Sequence, residues 1–143
     1  MTSLELVISI SIIVIISSLC FMKYENDNYI IDSFAKQLCS DIRYIRRENI
    51  LDNKAYIRFI NENDTWGYSL HNNSMEEKRI FLPKNTKLSY PITQNSNYIR
   101  FDRTGAYEHG GGTIIISKNS ISKYITIVPV SGRVLYKEGI YEK

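Results

Sequence analysis

The sequence predicts an α+β protein: a long N-terminal helix, transmembrane in its first half, packed on a C-terminal antiparallel β-sheet domain. Three observations predict it. Residues 6–22 form an uncharged apolar run. Apolar residues at three-and-four spacing continue the pattern to residue 51, and from Ala55 the apolar period drops to two.

The run 6–22 reads LVISISIIVIISSLCFM, a length at the short end for a transmembrane helix. A cleaved secretory signal is the competing reading, but no basic region precedes the run and no small-x-small site closes it. Glu5 stands at its edge. A carboxylate beside a hydrocarbon-length helix needs a partner, because its uncompensated burial costs about 2.5–3.5 kcal/mol at a helix centre. The next seventeen residues hold no cation. The partner is therefore interfacial water, a lipid head group or a cation on another chain.

After the polar stretch 25–28, Ile31, Phe34, Leu38, Ile42 and Ile45 mark one helix face. No proline occurs before Pro83, so one helix over residues 4–51, with a bend allowed near 26–28, is consistent with the sequence. Asp52-Asn53 ends the pattern. On this helix Arg43, Arg46 and Arg47 make a basic cluster, read either as a contact patch or as a solvated face.

From Ala55, residues Ala55, Ile57 and Phe59 alternate with Tyr56, Arg58 and Ile60, and Asn61-Glu62-Asn63-Asp64 supplies a turn. Further strands are expected at 65–70, 79–82, 98–101, 113–117, 123–128 and 133–136, between turn-rich clusters. One helix followed only by strands implies a sheet wrapped on that helix. The expected segments are a transmembrane helix over 1–22, its amphipathic continuation over 23–53 and a β-rich globular domain over 54–143.

Composition narrows the chemistry. The 18 Lys and Arg against 15 Asp and Glu leave +3, a balance that reads as solvated surface rather than a nucleic-acid footprint. Cys20 and Cys39, 19 residues apart on one helix, are too distant to bridge within the chain. His71 and His109 lack partners at metal-ligand spacing and read as surface histidines. Gly110-Gly111-Gly112 lacks the Lys-Ser/Thr of a phosphate loop and reads as a hairpin turn. Asp102 and Glu108 have no stated reason to face one another across a substrate. The expectation is a non-enzymatic chain with no cofactor, no catalytic residue and no metal.

Met1-Thr2-Ser3-Leu4-Glu5-Leu6, followed by the apolar helix, resembles the processed N-terminus of type IV pilins and type II secretion pseudopilins. The segment 38–50 is similar to the helix signature of minor pseudopilins of the GspH/FimT type. So are Tyr98-Ile99-Arg100-Phe101, Gly105, Gly111-Gly112-Thr113-Ile114, Ile125-Thr126-Ile127 and Ser131-Gly132-Arg133-Val134. The resemblance implies a minor pilin or pseudopilin, a structural subunit of a type IV pilus or type II secretion-like filament. Met1 would be the processed and methylated residue, preceded in the native gene by a short basic leader ending in Gly. Thr2 and Glu5 would serve assembly, Glu5 by pairing with a neighbour's N-terminal amine. The implied partners are other pilin or pseudopilin subunits, the membrane, a prepilin peptidase and an assembly platform. The implied location is a single-pass cell-membrane protein with its globular domain outside the cytoplasm, extracellular once in the filament.

The alternative is a DNA-binding minor pilin of a competence (DNA-uptake) pilus. Some members of the FimT type are thought to bind DNA through a Gly-Arg-x-Arg arrangement near the chain end. Here Gly132-Arg133-Val134 is followed by Leu135, so the second arginine is missing and Lys137 is the substitute. The candidate DNA-contacting residues are Arg133, Lys137, Arg43, Arg46 and Arg47.

Overall fold

The computed structural model describes residues 3–90 and 97–138, with backbone alone for residues 20–26 and Glu138. Met1 and Thr2 lie outside the described residues. The chain forms two compact units, Met1–Ile30 and Ile31–Lys143. Helix α1 (Ser3–Ile50) supplies the described part of the first and opens the second.

In the first unit every large apolar side chain from Leu4 to Leu19 is between 51% and 73% exposed. A helix stretch that is apolar on all faces has more apolar surface than a single packed face would bury. Three of its serines bond to carbonyls one turn back on the helix. Ser9 Oγ donates to the Glu5 carbonyl at 2.9 Å, Ser11 to Val7 at 2.8 Å and Ser17 to Ile13 at 2.8 Å. Each hydroxyl is thus satisfied without water. Among the described residues no helix is long and apolar enough to cross a membrane; in the run 6–22, side chains are described through Leu19.

The second unit is built around residues 31–50 of α1. Ile31, Phe34, Ala35, Leu38, Cys39, Ile42 and Ile45 are all buried, the face the three-and-four spacing predicted. Cys39 is a free thiol, and burial raises its pKa against the opposing effect of Arg43. The helix closes in a Schellman arrangement: Asn53 N–H donates to Glu48 O at 3.0 Å and Asp52 N–H to Asn49 O at 3.1 Å. Asp52 takes the left-handed conformation this requires, with φ 70°. Asp and Asn tolerate that region better than other non-glycine residues. The side chain of buried Asn49 then pairs with both backbone groups of Ala55, Nδ2 to O at 2.8 Å and Oδ1 from N at 3.0 Å, fixing where the first strand begins.

The expected single sheet is two antiparallel sheets. In the first, the order is β3 (Met75–Phe81), β2 (Thr65–Asn72), β1 (Ala55–Glu62) and β5 (Tyr98–Ile99). In the second it is β4 (Lys87–Ser89), β6 (Gly112–Lys118), β7 (Ile121–Ile127) and β8 (Val134–Glu138). β1 runs two residues beyond the expected strand and turns at Asn63-Asp64, both at positive φ, 49° and 58°. Asn73-Ser74 repeats the device between β2 and β3, at 49° and 70°. Two consecutive left-handed residues match the twist of a two-residue hairpin. β3 begins earlier than expected; its Glu76-Glu77-Lys78-Arg79 run keeps an edge strand from pairing with other chains. Sequence reading missed β4, whose three residues carry one buried side chain, Leu88.

Inward residues of both sheets complete the core on the helix face, including Ile57, Phe59, Tyr68, Leu70, Ile114, Ile116, Ile125 and Ile127. Two helix carboxylates enter it. Asp41, 5% exposed, accepts from Tyr68 Oη at 2.6 Å, Lys78 Nζ at 2.6 Å and Gln37 Nε2 at 3.2 Å. Burial, and then the Asp41 hydrogen bond, drives the Tyr68 hydroxyl far above the ordinary tyrosine range. Asp32 accepts from the Tyr136 hydroxyl and meets Lys36 at 2.6 Å and the nearly buried Lys123 at 3.5 Å. A lysine on the inner face of β7 is tolerable because this carboxylate pairs with it.

Candidate functional site

The second unit draws three of the five candidate cations to one place. Arg43 Nη2 donates to the Val134 carbonyl, where β8 starts, at 3.0 Å. Arg46 bridges two loops: its Nε donates to Gly105 O at 2.9 Å and its Nη2 to Ser131 O at 3.0 Å. Arg43, Arg46 and the exposed Arg133 line a cavity of about 420 Å³ together with Gly132, Val134 and Leu135. Among the described residues no carboxylate lines it. Arg47 and Lys137 are not among the lining residues: Arg47 pairs with Glu48 at 3.3 Å and lies 5.4 Å from the Tyr44 ring centre, and Lys137 is exposed on β8.

Arg46 reaches both carbonyls because the two loops nearly touch. A Cβ on Gly132 (φ 60°) would lie 2.0 Å from the Gly105 carbonyl oxygen and 3.1 Å from Arg46 Nε. One on Gly105 (φ 80°) would lie 2.9 Å from Ile50 Cδ1 and 3.2 Å from Arg46 Nε. Both positions favour glycine for their left-handed conformation, and Gly132 also for space, because its obstacle is backbone whereas Gly105 faces only side-chain ends. Asp102 shapes the Gly105 turn by accepting from Thr104 N–H at 2.8 Å, Thr104 Oγ1 at 2.6 Å and Ala106 N–H at 2.9 Å. The Thr104 hydroxyl bond, with the backbone N–H groups of the turn, lowers the Asp102 pKa. Asp102 is thereby a turn residue, while Glu108 sits 3.5 Å from Arg100.

Glu5 occupies the first turn of α1 and is exposed, where a negative charge complements the helix dipole. No ion pair to it occurs among the described residues. Met1 and Thr2, the other N-terminal candidates, lie outside them. His71 is not the surface histidine expected: its side chain is 15% exposed, stacked on Tyr56 at 4.6 Å, with Nε2 at 2.9 Å from Ser69 Oγ. Gly110 closes a turn after the Phe101–Tyr107 bridge rather than a hairpin tip.

Comparison with solved structures bears on the fold. Two crystal structures of the type IV minor pilin FimU from Pseudomonas aeruginosa align with TM-scores of 0.55 and 0.59, at 15% sequence identity in each case. The alignments cover 74% and 82% of this chain and 91% and 92% of FimU. The chain has a pilin fold. No protein-family profile and no curated protein sequence matches it.

Within this pilin fold, several determining residues escaped sequence reading. Asn49 and Asp41 look like ordinary polar positions of an amphipathic helix, yet both are buried and tie helix to strand. Their spacing offered a signal: Asp41, Ile45 and Asn49 fall at four-residue intervals beside the apolar face. The Gly105–Gly132 contact had none, since it joins loops 27 residues apart.

Proposed function

We propose that this chain is a minor pilin or pseudopilin, a non-enzymatic structural subunit of a type IV pilus or type II secretion-like filament, incorporated through its N-terminal helix and Glu5. The observation that carries the reading is the uncovered apolar surface from Leu4 to Leu19 beside a unit of pilin fold. Before assembly the bilayer covers that surface, the apolar run 6–22 spanning it once with the globular unit outside the cytoplasm. In the filament, the helices of other subunits cover it. Ser9, Ser11 and Ser17, bonded to carbonyls four residues back, fit both settings, because neither supplies water. Thr2 lies beside the processed residue, Met1. A prepilin peptidase and an assembly platform are the implied partners.

Glu5 then serves assembly rather than folding. A neighbour's N-terminal amine relieves a carboxylate that has no cation in its own run, and a charge pair in a poorly hydrated setting attracts more strongly than in water. Glu5→Ala is expected to leave membrane insertion and the globular unit intact and to deplete the subunit from sheared filaments. Equal amounts in sheared filaments at equal expression would sink the assembly role. N-terminal mass spectrometry of native protein is expected to find methylated Met1.

A second reading, a DNA-binding minor pilin of a competence pilus, has one observation in its favour: a cavity lined by Arg43, Arg46 and Arg133 and, among the described residues, by no carboxylate. Arg133 is its principal phosphate contact, with Lys137 and Arg47 flanking. Arg43 and Arg46 already donate to backbone carbonyls, which leaves Arg133 most available. Duplex DNA binding by the full chain should then fall steeply with salt and drop with Arg133→Ala. Binding indifferent to both would remove this reading.

A further inference from the structure

We infer that the outer face of the first sheet carries a binding site for single-stranded nucleic acid, in the cleft between Tyr56, Arg58, Tyr98 and Arg100. The strand period builds it. On β1, Tyr56 and Arg58 flank buried Ile57; on and beyond β5, Tyr98 and Arg100 flank buried Ile99. The antiparallel register sets Arg58 opposite Tyr98 and Ile57 opposite Ile99. Each strand therefore offers one aromatic ring and one guanidinium to the same cleft.

The cleft encloses about 310 Å³, with Asn97 as its fifth lining residue. That is the small end of ligand-site sizes, suited to one nucleoside rather than a duplex. Its rings are held in place. His71 stacks on Tyr56 at an interplanar angle of 3°, and Tyr98 meets Tyr56 edge-on at 6.3 Å and His109 at 5.6 Å. Its charge is unbalanced: Arg100 has Glu108 at 3.5 Å, whereas Arg58 forms no ion pair among the described residues.

Two guanidiniums against one carboxylate select an anion, so a neutral sugar leaves Arg58 uncompensated. Tyrosine rings beside them select a planar partner, since every base offers a π-face and stacking on an aromatic side chain tolerates any sequence. A duplex hides those faces within its own stack. A single strand presents base and phosphate one sugar apart, the combination this cleft offers. The site is separate from the Arg133 cavity and does not depend on the chain's being a filament subunit.

The test is fluorescence anisotropy with the full chain in neutral detergent and a labelled twelve-nucleotide oligothymidylate. Tyr98→Leu is expected to weaken binding about tenfold, the scale of one lost base stack, and Tyr98→Phe to retain it. Arg58→Ala should weaken binding and flatten the log–log salt slope by about 0.7, one phosphate on a single strand. Arg133→Ala should leave this binding unchanged. Circular dichroism matching wild type in each variant guards against misfolding. No binding, or binding unchanged in both Tyr98→Leu and Arg58→Ala, would overturn the site. Equal affinity for a duplex of the same length measured in Arg133→Ala, or for an acidic polysaccharide that displaces the oligonucleotide, would overturn the assignment of its ligand.

Discussion

Residues 4–19 and residues 31–45 of α1 draw on the same apolar side chains and meet opposite fates. In the first stretch every large apolar residue is more than half exposed; in the second, Ile31, Leu38, Ile42 and Ile45 are fully buried. The difference lies in pattern. The second stretch confines its apolar residues to one face and sets Asp32, Asp41 and Arg43 where strands supply partners. The first is apolar all round, so no single sheet could cover it. One stretch therefore contributes to the stability of the second unit, and the other, left uncovered, does not. Substitutions should separate the two.

The largest contrast is expected between Leu38→Ala and Ile12→Ala. Leu38 is 0% exposed, and its truncation should cost about 2–5 kcal/mol of the second unit's stability, measured by chemical denaturation of the full chain in mild detergent. Ile12→Ala, at a position 51% exposed, should leave that transition unmoved. Comparable losses would break the division between the two stretches. Next comes the clamp by which Arg46 holds two loops. Gly132→Ala combines a left-handed backbone with a 2.0 Å clash and should cost about 1–3 kcal/mol. Gly110→Ala shares the positive φ, 89°, but meets nothing within 4 Å, and should cost less in the same measurement. Equal costs would mean that conformation alone, without the contact, governs the site.

A smaller effect tests the buried hydroxyl. The native pKa of Tyr68 is raised by burial and by Asp41, so the folded state keeps a proton that the unfolded chain releases near pH ~10. This contribution is complete below the unfolded value and is lost as pH rises above it. Denaturation midpoints should fall more between pH ~9 and ~11 in wild type than in Tyr68→Phe. Tyr44, Tyr90 and Tyr107 are raised as well, so Tyr68→Phe should reduce the slope without abolishing it. Smallest of all is Arg79→Ala. Its pairs with Glu62 at 3.1 Å and Glu76 at 2.9 Å are exposed on an edge strand, and the midpoint should not move.

What the sequence determined by itself is everything set by short-range periodicity. The helix face of Ile31 to Ile45, the stop at Asp52-Asn53, the period of two from Ala55 and the uncovered run at the N-terminus depend on neighbours within a turn or a strand pair. Tertiary structure alone decided the rest. The division of the strands into two sheets is one such outcome, and the pairing of Lys123 with Asp32 and the use of Arg43 and Arg46 as donors to backbone carbonyls join residues 59 to 91 positions apart. A guanidinium on a helix reads the same in sequence whether it faces water or a carbonyl. The choice belongs to backbone brought beside it by packing, and where Gly132 meets the Gly105 carbonyl that approach is close enough to exclude even a methyl group on Gly132.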